Sequence, residues 1–107
     1  MMKYDKKDEP LSYFLRQIRE QLEYQLKQVI LFGSRARGED TSGSDYDCLI
    51  IVDEVSKSVK DIIDEVSGEV LYRFNVVISA LLISEEKHNR QIYSPLLMNI
   101  DKEGVVL

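Results

Sequence analysis

The sequence predicts one small α/β domain of the α+β kind, a mixed sheet of about three to four strands packed by helices. Three observations predict it. A helical apolar repeat opens the chain, short β-branched runs follow with a second helical pattern between them, and two helical pieces close it. At 107 residues the chain is long enough for one hydrophobic core and too short for two.

Residues 1–8 read as a frayed, charged lead-in. From Pro10 onward, Leu11, Phe14, Leu15, Ile18, Leu22 and Leu26 recur at spacings of three and four. They mark an amphipathic helix with Arg16, Arg19, Glu20 and Lys27 on its wet side. Residues 28–32 (Gln-Val-Ile-Leu-Phe) are short, apolar and β-branched, and Gly33 bounds them, which predicts a buried strand. Residues 45–52 form a second strand candidate, polar at its start and apolar afterwards. Residues 56–67 read as a helix with Val59, Ile62, Ile63 and Val66 on one face, Ser56 as N-cap and Gly68 as its stop. Residues 70–83 are predicted as a long third strand. Ser84 precedes Glu85 and Glu86, a cap followed by first-turn acids. Ser94-Pro95 opens a last helix that Gly104 ends.

Composition excludes several classes. A formal net charge of −5 argues against a general nucleic-acid binder, although a few local charges can still serve one triphosphate. No apolar run approaches the roughly 18 residues that span a membrane, and no secretory signal is visible at the start, so a cytoplasmic protein is expected. Cys48 stands alone in an apolar run, which predicts a small buried side chain rather than a disulfide or a metal ligand. His88 lies among Glu85, Glu86, Lys87 and Asn89 and reads as a solvated helix residue.

The chemistry concentrates between the first two strands. Gly33-Ser34 follows a strand, and Arg35 to Arg37 make a short helical turn stopped by Gly38. Glycine permits a sharp turn and a close approach by phosphate, while Ser34 would cap the turn and leave N–H groups for an anion. Alone, such a segment is most often an ordinary capped turn. Asp45 and Asp47 open the next strand, and residues two apart on a strand share a face. Two acids beside an apolar strand repel each other, and Mg²⁺ with its preference for oxygen would compensate them. Solvated acids at a strand start are the plain alternative. The ten residues between Ser34 and Asp45 are too few for a parallel crossover, so the strands are predicted to pair antiparallel. That pairing would bring Gly33-Ser34 beside Asp45 and Asp47.

Gly-Ser, ten residues, then Asp-x-Asp resembles the defining motif of the DNA polymerase β-like nucleotidyltransferase superfamily. The fuller string Gly-Ser-Arg-Ala-Arg-Gly with Ser-Asp-Tyr-Asp is similar to the MNT-type minimal nucleotidyltransferases, and the resemblance covers most of the chain. It implies a polymerase β-like nucleotidyltransferase fold. It further implies a nucleoside triphosphate substrate, ATP, held by Gly33, Ser34, Arg35 and Arg37, with Asp45 and Asp47 ligating two Mg²⁺ ions. Arg35 and Arg37 would neutralise phosphate charge or serve as surface ion-pair partners. The implied reaction is transfer of AMP to a hydroxyl of a partner protein, a HEPN-domain protein of a toxin–antitoxin pair.

The family also places a third carboxylate on the third strand. Here that strand holds no acid, and Asn75 is the matching position, with a carbonyl oxygen but no charge. Two readings therefore stand beside each other, a nucleotidyltransferase and a nucleotide-binding antitoxin module that acts by complex formation. An aminoglycoside-type enzyme is the distant third, since it would need an added substrate-binding region. Nothing in the sequence reads adenine against guanine.

Overall fold

Asp8 opens the first helix by accepting the Leu11 amide at 3.2 Å, and Pro10 follows in the first turn, where a missing N–H costs nothing. The computed structural model describes residues 8–33, 45–91 and 93–107. The expected lead-in over 1–7 lies outside the described residues. Asp8 departs from that expectation, because its second carboxylate oxygen accepts the Tyr46 hydroxyl at 2.6 Å and ties the helix start to the sheet.

Helix α1 (Glu9–Leu22) buries Leu11, Phe14, Leu15, Ile18 and Leu22, the stripe its spacing predicts. It ends four residues before Leu26, in a 3₁₀ turn (Glu23–Gln25) that feeds strand β1 (Leu26–Phe32). Strand β2 (Tyr46–Val52) pairs antiparallel with β1, as the short connection requires. Helix α2 (Lys57–Phe74) then carries the chain over to β3 (Ile78–Ser84), which pairs parallel with β2. Helices α3 (Glu85–Arg90) and α4 (Pro95–Glu103) follow, and β4 (Val105–Val106) returns antiparallel to Ile30 and Leu31. The sheet order is β3-β2-β1-β4. Gly104 makes the return possible, because a Cβ there would collide with Ile30 and lie 3.2 Å from the Leu31 carbonyl oxygen.

Alternation along the strands divides the core into two layers. Val29, Leu31, Tyr46, Cys48, Ile50, Val52 and Ile78 face α1 and α2, where they meet Phe14, Ile18, Val59, Val66 and Val70. Ile30, Leu49 and Ile51 face the other way and are covered by Leu97 and Ile100 of α4. A strand covered on both sides needs no polar residues in its middle, which explains the unbroken run from Cys48 to Val52. Each fully buried aliphatic side chain contributes about 1.5–3 kcal/mol, so this two-sided burial dominates the stability of the central pair. Among the described residues no helix is long and apolar enough to cross a membrane.

Two expectations need correction. The second helix does not stop at Gly68 but continues to Phe74, and the third strand starts at Ile78 rather than at 70. The cause is the apolar stripe, which runs on from Val59, Ile63 and Val66 to Val70 and buries all four. Burial of Val70 outweighs the roughly 1 kcal/mol that an internal glycine costs a helix. Asn75 supplies the true stop in the left-handed conformation (φ 55°, ψ 40°), its amide donating to the Leu71 carbonyl at 2.9 Å.

Candidate active site

Phe32 and Asp47 are directly opposed across the β1–β2 pair, and the chain leaves β1 at Gly33. Gly33 has φ +82°, a conformation that L side chains rarely adopt. A Cβ at this position would also collide with the Asp47 carboxylate, with Oδ2 nearest and Cγ at 3.3 Å. Backbone angle and space both demand glycine here. The turn backbone and the acid are thus packed together with no side chain between them.

Asp47 is in phase with Leu49 and Ile51, so it points to the α4 face, at the end where β1 turns away. Its carboxyl is half-buried, and its pKa is raised, first by burial and then by the charge of Asp45. Asp45 immediately precedes β2 and is exposed. The charge of Asp45 therefore acts on Asp47 at the strand opening. The next residue, Cys48, faces the opposite layer and is fully buried; burial, with a smaller push from Asp47, raises its thiol to about 12. It is an inert core residue, as expected.

Ser34, Arg35 and Arg37 lie outside the described residues. Asn75 is a correction. It does not sit on the third strand beside the acids but caps α2. The parallel register instead sets Ser79 against Asp47 and Ile78 against Tyr46. Paired residues share a face, so Ser79, exposed and uncharged, is the β3 neighbour of Asp47. Among the described residues no group of three or more His, Cys, Asp or Glu is placed to hold a metal ion. Asp45 and Asp47 are the acids of this corner that could hold a cation.

His88 is also a correction. Its side chain is only 15% exposed, with Nε2 3.4 Å from Asp101 Oδ1, so it joins α3 to α4 rather than standing in solvent. Sequence reasoning also missed a cavity of about 250 Å³ between the end of β1 and α4, lined by Phe32, Gly33, Leu96, Asn99, Ile100 and Glu103. The spacing of Leu96, Asn99, Ile100 and Glu103 along one helix face was the available signal.

A family model for the nucleotidyltransferase domain matches residues 12–104, spanning α1, the Gly33–Asp47 corner and α4. This chain belongs to that family. The nucleotidyltransferase domain is 34% identical over 100 residues to "Putative protein adenylyltransferase MJ0604" of Methanocaldococcus jannaschii, covering 94% of this chain and 96% of that protein. It is 30% identical to "Putative protein adenylyltransferase MJ1305" of the same organism, over 84% of this chain and 63% of that one. Among solved structures, it resembles a toxin–antitoxin crystallised with AMP-PNP (TM-score 0.55, 14% identity, 87% of this chain and 68% of that chain). A mutant of the toxin–antitoxin MntA-HpeT superposes equally well (TM-score 0.55, 17% identity, 87% and 68%). At these identities the structural likeness establishes the fold of the nucleotidyltransferase domain, a mixed four-stranded sheet packed by helices, in agreement with the predicted class.

Proposed function

We propose that this nucleotidyltransferase domain transfers AMP from ATP to a hydroxyl of a partner protein, the hydroxyl oxygen bonding to the α-phosphorus as pyrophosphate leaves, with Mg²⁺ held by Asp45 and Asp47. The observation that carries this reading is the placement of the Asp47 carboxylate in the space a Gly33 side chain would need, with Asp45's charge acting on the same group. Such a corner sets two acids, hard oxygen donors for a divalent cation, beside the turn that leads from Gly33 into Ser34. The names of the relatives support adenylyl transfer to protein, and the AMP-PNP and toxin–antitoxin descriptions of the structural neighbours support a nucleotide and a protein partner. A HEPN-type protein is the first candidate partner.

The residues fit the cation. The Asp47 carboxyl, its pKa raised by burial and by the charge of Asp45, is short of positive charge, and the oxygens of the two acids are the donors that Mg²⁺ prefers. When bound, the ion would offset phosphate charge and polarise the phosphoryl group. The chain's own part is to hold the triphosphate against Gly33, with Ser34, Arg35 and Arg37 supplying the donors that the motif implies. Asp45 and Asp47 place two neighbouring acids at the strand opening, whose charge a bound cation would compensate.

Ser79 in the place beside Asp47 favours a second reading, a nucleotide-binding antitoxin module that acts by complex formation, since a hydroxyl adds no charge to the site. One experiment separates the two. The chain is co-expressed with its partner, purified, and incubated with Mg²⁺ and α-labelled ATP. Label on the wild-type partner that disappears with Asp45→Asn and Asp47→Asn, while the complex persists, supports transfer. Absence of label with neutralisation of the partner intact in both variants would establish the binding module instead.

A further inference from the structure

We infer that the cavity between the end of β1 and α4 is the slot for the nucleotide's base and that Asn99 reads it as adenine. This inference rests on the nucleotide reading of the Gly33–Asp47 corner and extends it to a part of the ligand that the corner does not touch.

Gly33 belongs to both places. The Asp47 carboxylate fills the space a Gly33 side chain would need, and Gly33 also lines the cavity, so the cavity adjoins the Gly33–Asp47 corner. Its volume of about 250 Å³ is below the roughly 300–1,000 Å³ that encloses a whole drug-sized ligand. It suits one flat ring system. The lining has the composition that takes such a ring. Phe32, Leu96 and Ile100 supply apolar surface, and Asn99 and Glu103 supply a few polar groups at the edge. The apolar lining orients the ligand: its anionic end belongs at the polar Gly33 turn and its uncharged end in the slot.

The helix presents these groups by spacing. Leu97 and Ile100 anchor α4 onto Ile30, Leu49 and Ile51, which brings Leu96, Asn99 and Glu103 along the rim that looks toward Phe32. Asn99 carries one acceptor and one paired donor in a planar amide. Adenine shows a matching donor and acceptor at its amino group and N7, whereas guanine shows two acceptors along the same edge. An asparagine at this rim therefore favours adenine.

The test compares ligands that differ only in the base. Titration calorimetry with Mg²⁺ measures ATP, GTP and the base-less ribose 5′-triphosphate on the wild-type chain and on Leu96→Trp and Asn99→Leu. Leu96 is half-exposed, so the larger ring can enter the slot without disturbing the core, and far-UV circular dichroism checks this. The wild type is expected to bind ATP about tenfold or more tighter than the base-less ligand, the scale of one stacked base. Leu96→Trp should bring ATP down to the base-less affinity. Asn99→Leu should erase the preference of ATP over GTP. Equal wild-type affinities for ATP and the base-less ligand, or an ATP advantage that survives both substitutions, would overturn the slot while leaving the phosphate corner standing. Failure of all three ligands to bind the wild type would overturn the corner, and the slot with it.

Discussion

The Asp47 carboxylate occupies the space that a side chain at Gly33 would need, so the turn after β1 and the opening of β2 are built as one unit. The relationship is set by register. Phe32 opposes Asp47, and the next residue must turn away at positive φ while passing the acid. Gly33→Ala is expected to destabilise the fold by about 1–3 kcal/mol, the cost of a strained backbone conformation, and to displace Asp47. Urea denaturation measures the first effect and loss of MgATP binding the second. An alanine variant as stable as the wild type would show that the collision relaxes at no cost.

Asp47 gives the stability a pH signature. Its pKa is raised by burial and by Asp45, so the native chain keeps this proton to higher pH than the unfolded chain does. Where the native state holds the extra proton, stability falls as pH rises. At neutral pH and without divalent cations, ionised Asp47 therefore opposes folding. Asp47→Asn should melt above the wild type in chelator at neutral pH, with the gap closing as pH falls through the raised pKa. Thermal melts across a pH series check this, and a variant that melts lower at neutral pH would contradict it.

The register also predicts where a third acid would act. Ser79→Asp places a carboxylate beside Asp47 on the neighbouring strand, about 4.8 Å away between backbones. It should tighten Mg²⁺ binding by about an order of magnitude, as an added charged ligand does, and lower the metal-free melting temperature. Asn75→Asp, at a helix cap, should leave Mg²⁺ affinity unchanged. Magnesium titrations of the two variants give the answer; the reverse ranking would restore position 75 to the site.

Gly68 explains why part of this was legible in the sequence and part was not. The antiparallel β1–β2 pair followed from a connection too short to cross over, and α1 from an unmistakable apolar stripe. Gly68 suggested a stop, yet it lies inside α2 with open space where a Cβ would be. The stripe past it to Val70 carried more free energy than the local propensity, and a run of β-branched residues at 76–78 made the helix end look like strand. That shift moved the third-strand position from Asn75 to Ser79. The α4 slot was missed for another reason: the helix spacing shows one face, but the slot exists only because Leu97 and Ile100 dock on strand residues remote in sequence.

Gly68→Ala should therefore stabilise the chain by about 0.5–1 kcal/mol, by removing glycine's backbone entropy from a helix interior. Chemical denaturation reads the change directly. A destabilised alanine variant would mean that position 68 is packed against something the open space does not show.

The central claim is that Asp45 and Asp47 form a cation-dependent nucleotide site at the Gly33 turn. Titration calorimetry of ATP with and without Mg²⁺, on the wild type and on Asp45→Asn and Asp47→Asn, tests it most directly. Binding should require Mg²⁺ in the wild type and weaken by about tenfold or more in each variant, the loss of a charged ligand. ATP affinity that is indifferent to Mg²⁺, or undiminished when both aspartates are replaced, would contradict it.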